Sequence, residues 1–252
     1  MRFHLKILSL LFLLCSVSAC VNLPEAEYSE PRIVPEAVHP APMMFSKLKV
    51  EVPAGSDLGY YSDFSLDKTH WFMVPANRRL LSKGISKKEL STVFSETMGG
   101  MGYDVADYLG LVFDEDVEDE YLRAEYRIGG KIIEAKMNLD RETEDRFGTI
   151  SFGQSGVKGE LYLKIKWGVY DALRRRTVYQ TITEGRGKQP HGDPEGMTLL
   201  INSAFEMAAH NLGADEGFYN LLVKGIKPEN YNARKKHEDR PLKYKSNETV
   251  SI

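Results

Sequence analysis

The amino-acid sequence predicts an α+β fold: a mainly antiparallel sheet of four to five strands with two main helices packed on one face. Three stretches predict it. Between Gly159 and Gly187, Leu161, Leu163, Ile165, Trp167 and Val169 alternate with Tyr162, Lys164, Lys166 and Tyr170. That period of two describes a strand with one face in a core and the other toward water. Behind Ser86, whose spacing to Glu89 is that of a capping box, Leu90, Val93, Phe94, Thr97 and Met98 fall on one helical stripe. A second helical run, Met197 to Leu212, turns Leu200, Ala204, Met207 and Ala208 to one side.

The remaining elements follow in chain order. Lys47 to Val52 is a candidate strand, Pro53 to Gly59 a turn, and His70 to Pro75 a compact apolar strand that includes Trp71. Gly99, Gly100 and Gly102 end the first helix, and Tyr103 to Ala106 begins a short strand. From Tyr121 to Leu139, Ala124, Tyr126, Ile128, Gly130 and Ile132 alternate with Glu125, Arg127 and Lys131, and Arg141 to Gly156 reads as a hairpin loop. Asp171 to Arg176 forms the next turn. The return strand places Val178 and Ile182 on one side and Thr177, Tyr179, Thr181 and Thr183 on the other. Gln189 to Gly196 is rich in turn residues, and Phe218, Leu221 and Leu222 extend or follow the second helix. Trp71 and Trp167 are expected in the core. These elements delimit one domain, residues 46–223.

The amino terminus carries a different signal. Arg2 and Lys6 precede an apolar run from Ile7 to Leu14, and small residues then lead to a cysteine, the layout of a secretory signal peptide over residues 1–19. The run is shorter than the roughly 20 apolar residues that cross a bilayer. Val17, Ser18, Ala19 and Cys20 resemble the lipobox of bacterial lipoproteins. The resemblance implies cleavage before Cys20, diacylglycerol on its sulfur and a fatty acyl chain on its new amino group. Two or more acyl chains hold a protein on a bilayer stably where one does not. Asp after the cysteine favours inner-membrane retention in enterobacterial lipoproteins, so Val21 points to the outer membrane, with the domain in the periplasm. Cleavage at Ala19 without lipidation is the alternative.

Residues 20–45 include Pro24, Pro31, Pro35, Pro40 and Pro42. They read as a semi-rigid tether, or as a segment that orders along a partner through Val21, Leu23, Ile33, Val34 and Val38. Asp114 to Glu120 holds six acids in seven residues without the glycine and ligand spacing of a calcium loop, which suits a solvated connection. Residues 224–252 are polar and lack periodicity, as expected of a disordered tail. With seven Lys or Arg against four Asp or Glu from Gly225 onward, the tail also suits an acidic partner or lipid headgroups.

Composition narrows the function. The formal charge is −3, and loss of Arg2 and Lys6 with the signal leaves 31 − 36 = −5, a balance that gives no reason to expect nucleic acid as a partner. Of the two cysteines, Cys15 leaves with the signal and Cys20 takes the lipid, so no thiol remains for a disulfide or a nucleophile. His39, His70, His191, His210 and His237 show no helical zinc spacing, and there is no Gly-x-Ser-x-Gly elbow or phosphate loop. His191, Asp193 and Glu195 cluster in a polar turn, where such residues are ordinary. No catalytic residue, metal or cofactor is therefore expected, apart from the covalent lipid. Tyr162, Tyr170, Tyr179 and Thr181, expected together on the second face of the hairpin, are the candidate interface, an aromatic and polar surface of the kind that favours protein contact.

The order of elements adds a resemblance. Together with Ala124-Glu125-Tyr126-Arg127-Ile128-Gly129-Gly130-Lys131-Ile132 and the hairpin Lys164 to Asp171 and Arg176 to Tyr179, it resembles a group of periplasmic lipoprotein domains. That group includes the curli-secretion lipoprotein, the lipoprotein activators of penicillin-binding proteins and the amino-terminal domain of the Tol translocation protein. The likeness covers residues 70–212 and implies a small fold likened to the anticodon-binding domain, with no catalytic residues to carry over. Glu125 stands where Asp is usual, and Arg174 to Arg176 where a Thr-Gly turn is common. The expectation is a lipid-anchored, non-catalytic interaction or structural protein that forms homo- or hetero-oligomers, an accessory of an envelope complex such as a secretion-system core. A lipid- or peptidoglycan-binding carrier is the alternative.

Overall fold

The computed structural model describes residues 23–63, 72–76, 78–106, 123–142 and 156–225. Within them the expected α+β architecture is present, a mainly antiparallel sheet with its main helices on one face. The strands are β1 (Met43–Val50), β2 (Gly59–Asp63), β3 (Phe72–Pro75), β4 (Tyr126–Glu142), β5 (Gly156–Asp171) and β6 (Arg176–Asp193). The helices are α1 (Arg78–Lys83), α2 (Lys87–Gly100), α3 (Gly196–Ala214) and α4 (Glu216–Val223). Across the sheet the order is β3-β2-β4-β5-β6, and β1 also pairs with β4.

β1 and β2 both run parallel to β4, beside Tyr126–Ile132 and Met137–Arg141 respectively, so they share one edge as two pieces of an interrupted strand. The β4–β5, β5–β6 and β2–β3 pairs are antiparallel. β2 and α1 were absent from the sequence expectation. The short strand expected at Tyr103 to Ala106 is reduced to one bridge, between Met43 and Val105. The turn expected at Gln189 to Gly196 is taken up mostly by β6, which continues to Asp193. Pro190 is tolerated there because β6 is an edge strand.

α2 begins with one arm of the capping box, Ser86 Oγ accepting from Glu89 N–H at 3.4 Å, while Glu89 Oε2 accepts from Asn202 Nδ2 at 3.0 Å, and it buries Leu90, Phe94 and Met98. It stops at Gly102, whose φ of 85° is left-handed and whose position lies against Val34. α3 buries Leu200, Ile201, Ala204, Phe205, Ala208 and Leu212. Its approach to β6 is set by glycine: a Cβ on Gly185 would lie 1.9 Å from Ala204 O, and one on Gly187 2.3 Å from Leu200 O. Between helices and sheet sits an aromatic cluster in which Trp167 packs 6.3 Å from Phe94 and 5.6 Å from Phe205, with Phe45 5.2 Å from Phe94. Trp167 is thus in the core as expected, and its indole N–H donates to Thr183 Oγ1 at 2.7 Å. Trp71, the acidic run 114–120, the loop 143–155 and the tail from 226 lie outside the described residues.

One expectation is corrected at the amino-terminal side. From Leu23 onward the proline-rich segment is not a spacer standing off the domain but a strap across it. Ser29 N–H donates to Asn211 Oδ1 at 2.8 Å, Arg32 Nε–H to Ala214 O at 2.9 Å, Val34 N–H to Met101 O at 2.9 Å and Ala41 N–H to Leu222 O at 2.8 Å. Leu23 and Val34 are buried, and the segment enters β1 at Met43. Proline-rich chain has little conformational freedom to lose, so a few buried apolar side chains hold it on the α3–α4 end of the domain.

Candidate interaction surface

α2 and α3 cover one face of the sheet. The other face carries no helix among the described residues, and it is where the candidate interface was expected. Its two ends differ in charge.

At the end formed by the later part of β4 and the first half of β5, acids and bases alternate and pair. Lys164 Nζ lies 2.8 Å from Glu184, Arg186 and Lys188 both reach Glu160, the latter at 3.1 Å, and Lys158 meets Asp140 at 3.6 Å. A hydrogen bond from Arg186 holds the Glu160 carboxyl below its ordinary range, and one from Lys164 does the same for Glu184. Tyr162 lies beneath these pairs, fully buried. Burial, with a hydrogen bond to Glu184 second, pushes its phenol above the ordinary value. At the opposite end, toward the β5–β6 turn, the face bears Lys47 and Lys49 from β1, Arg127 and Lys131 from β4, and Lys166 and Tyr170 from β5. Glu51 is the acid set among them. Its Oε1 lies 2.9 Å from Lys131 Nζ, a bond that holds the carboxyl below its ordinary range.

Of the four expected interface residues, Tyr170 is on this face and half-buried, while Tyr162 is covered. The face expected of Tyr179 and Thr181 is corrected, because both point to the helix side. Tyr179 Oη donates to Asp215 Oδ1 at 2.5 Å and Thr181 Oγ1 to Asp215 Oδ2 at 3.2 Å. Asp215 also caps α4, accepting from Phe218 N–H at 2.8 Å. The cause is a register shift: Val169 pairs with Tyr179 but Tyr170 pairs with Thr177, so Val178 is an extra residue and the faces exchange beyond it. Thr183 consequently lies in the core, donating to Ala208 O at 2.7 Å, and Ile182 is left 49% exposed.

Val17, Ser18, Ala19 and Cys20 lie outside the described residues. Among those described, no helix is long and apolar enough to cross a membrane, and no group of three His, Cys, Asp or Glu is placed to hold a metal. The cationic end of the open face was missed in the sequence. Its trace there was Lys47-x-Lys49-x-Glu51 and the polar alternates Arg127, Lys131 and Lys166, which only strand register brings together.

No family model matches the chain, and no curated protein matches its sequence. Several solved structures are similar at low identity. A Xanthomonas campestris protein of family DUF330 is 9% identical, with 85% of this chain and 99% of that one covered and a TM-score of 0.29. A lipoprotein from Caulobacter crescentus is 14% identical, covering 62% and 97%, with a TM-score of 0.27. PelC from Paraburkholderia phytofirmans, a dodecamer, is 10% identical, covering 73% and 98%, with a TM-score of 0.27. Likeness at this level says nothing of activity or assembly.

Proposed function

We propose that this chain is an acyl-anchored protein of the bacterial envelope that acts by docking rather than by catalysis. It would serve as an accessory of an outer-membrane or cell-envelope assembly such as a secretion-system core. The observation that carries the reading is the sheet face that no described element covers, with a charge-paired end beside a cationic one and Tyr170 among the cations. The lipobox-like Val17 to Cys20 supports the anchor, and the resemblance to the curli-secretion and Tol group supports an envelope assembly as the partner. The cavity on the open face is ringed by the charges of Lys47, Lys49, Arg127, Lys131 and Lys166, which disfavours a carrier for acyl chains.

The test is crosslinking in intact cells with a photoreactive residue at Tyr170 and, as a control, at Thr92 on the exposed side of α2. Adducts to envelope proteins from position 170 and none from 92 are expected; no adduct from 170 would overturn the docking reading. Separately, Cys20→Ser should abolish labelling by a clickable palmitate and release the folded domain from the membrane. Unchanged fractionation would overturn the anchor.

A further inference from the structure

The cationic end of the open face differs from the rest of the sheet in two respects. Register sets Lys49, Lys131 and Lys166 directly beside one another on three neighbouring strands, all exposed. Like charges directly opposite across strands are destabilising. Lysines at the paired end meet acids, as Lys164 meets Glu184 and Lys188 meets Glu160. Among the described residues this row is answered by Glu51 alone.

The second respect is a pair of glycines. Gly129 and Gly168 are cross-strand partners next to the lysine row. A Cβ on Gly129 would meet nothing nearer than Lys47 O at 3.7 Å, and one on Gly168 nothing nearer than Thr177 Cγ2 at 3.9 Å, both ordinary contacts. Neither residue has a left-handed φ. Gly129 lies opposite the bulge of β1 between Phe45 and Lys47, and Gly168 is one residue from the bulge of β6 at Val178, places where a strand admits glycine, and with no side chain at either position the floor between them is bare. The glycines keep open a trough of about 640 Å³, with the lysine row along one wall and Arg127 and Tyr170 along the other.

We propose that this trough binds an extended acidic segment of a partner protein, with its carboxylates on the lysine row and its backbone laid over Gly129 and Gly168. Four strands, from β1 to β6, span about 15 Å, the length of four to five residues of extended chain. Charge complementarity selects an acid, and a second backbone can approach closely only where no side chain stands. A bilayer is the poorer occupant, because a flat headgroup plane does not reach a recessed floor. The inference rests on the docking reading for its class of partner. The two fail separately, since acylation of Cys20 does not depend on what fills the trough and an adduct from position 170 reports a docked partner of any chemistry, acidic or not.

The test uses the full chain in mild detergent and a fluorescein-labelled octapeptide alternating Asp and Ser, followed by anisotropy. Saturable binding that weakens with added salt is expected. The double variant Lys49→Gln and Lys166→Gln should weaken it about tenfold or more. Gly168→Val should weaken it comparably with the charge unchanged, and Gly129→Ser repeats that test with a smaller filling. Lys188→Gln, at the paired end, should leave binding as it is. Equal binding by the glycine variants, or equal loss on Lys188→Gln, would reduce the effect to net charge and overturn the site. So would binding to phosphatidylglycerol vesicles that the peptide does not displace, or peptide binding that emerges only when the acids of 114–120 are neutralised.

Discussion

On β6, Gly185 and Gly187 lie so close under α3 that a methyl group on either would overlap the helix backbone. On β4 and β5, Gly129 and Gly168 face open space, the nearest atoms to their would-be Cβ positions among the described residues being Lys47 O at 3.7 Å and Thr177 Cγ2 at 3.9 Å. The first pair exists because the chain folds against itself. The second has nothing packed over it among the described residues. The two faces repeat that contrast: beneath the helices even the hydroxyls of Thr181 and Thr183 and the indole of Trp167 are hydrogen-bonded, whereas the uncovered face ends in a row of like charges. That difference between the faces is the basis of the docking proposal.

The contrast breaks most sharply at the glycines. Gly185→Val should drive α3 off β6 and remove about 3 kcal/mol or more of stability, since backbone cannot yield as a flexible side chain does. Gly168→Val should stay within about 1 kcal/mol, because the space is open and valine favours strands. Similar losses for both in urea denaturation would end the distinction. Thr183→Val keeps the shape but leaves the Trp167 N–H and Ala208 O without their partner, a loss of about 1–3 kcal/mol in the same assay. Asp215→Ala should lose about 1–2 kcal/mol, as α4 loses its cap and Tyr179 and Thr181 their acceptor.

Acid titration separates the two ends of the open face. Glu160 and Glu184 have folded pKa values below their unfolded ones, so their contribution is complete above an unfolded value of about 4.3 and is lost as pH falls through the lower folded value. Glu184→Gln should therefore flatten that part of the stability profile measured by denaturation across acid pH, and an unchanged profile would refute the pairing. The smallest effect has the opposite sign. Lys166→Gln should raise stability by a few tenths of a kcal/mol at low salt and leave it unchanged at high salt, because it removes a repelled charge.

Much of the covered face was legible in the sequence. The alternation from Leu161 to Val169 named the core side of β5 correctly, and Ser86 with the stripe to Met98 gave α2 within a residue, because local hydrogen bonding and periodicity decide both. β6 was read inside out, since one extra residue at Val178 exchanges its faces and leaves no mark in composition. The strap was read as a tether because proline content reports stiffness and not destination. The lysine row went unseen because cross-strand neighbours lie tens of residues apart in the chain, as Lys49, Lys131 and Lys166 do.

The sequence by itself determined the fold class and the residues of β5 and α2 that face the core, since each depends on neighbours within a few positions and on burial of apolar surface. Only the tertiary structure decided that β6 turns its threonines inward, that the proline-rich strap closes over the α3–α4 end, and that three lysines and two glycines share one trough. Those outcomes depend on register and on contact between distant segments, which a one-dimensional pattern does not encode.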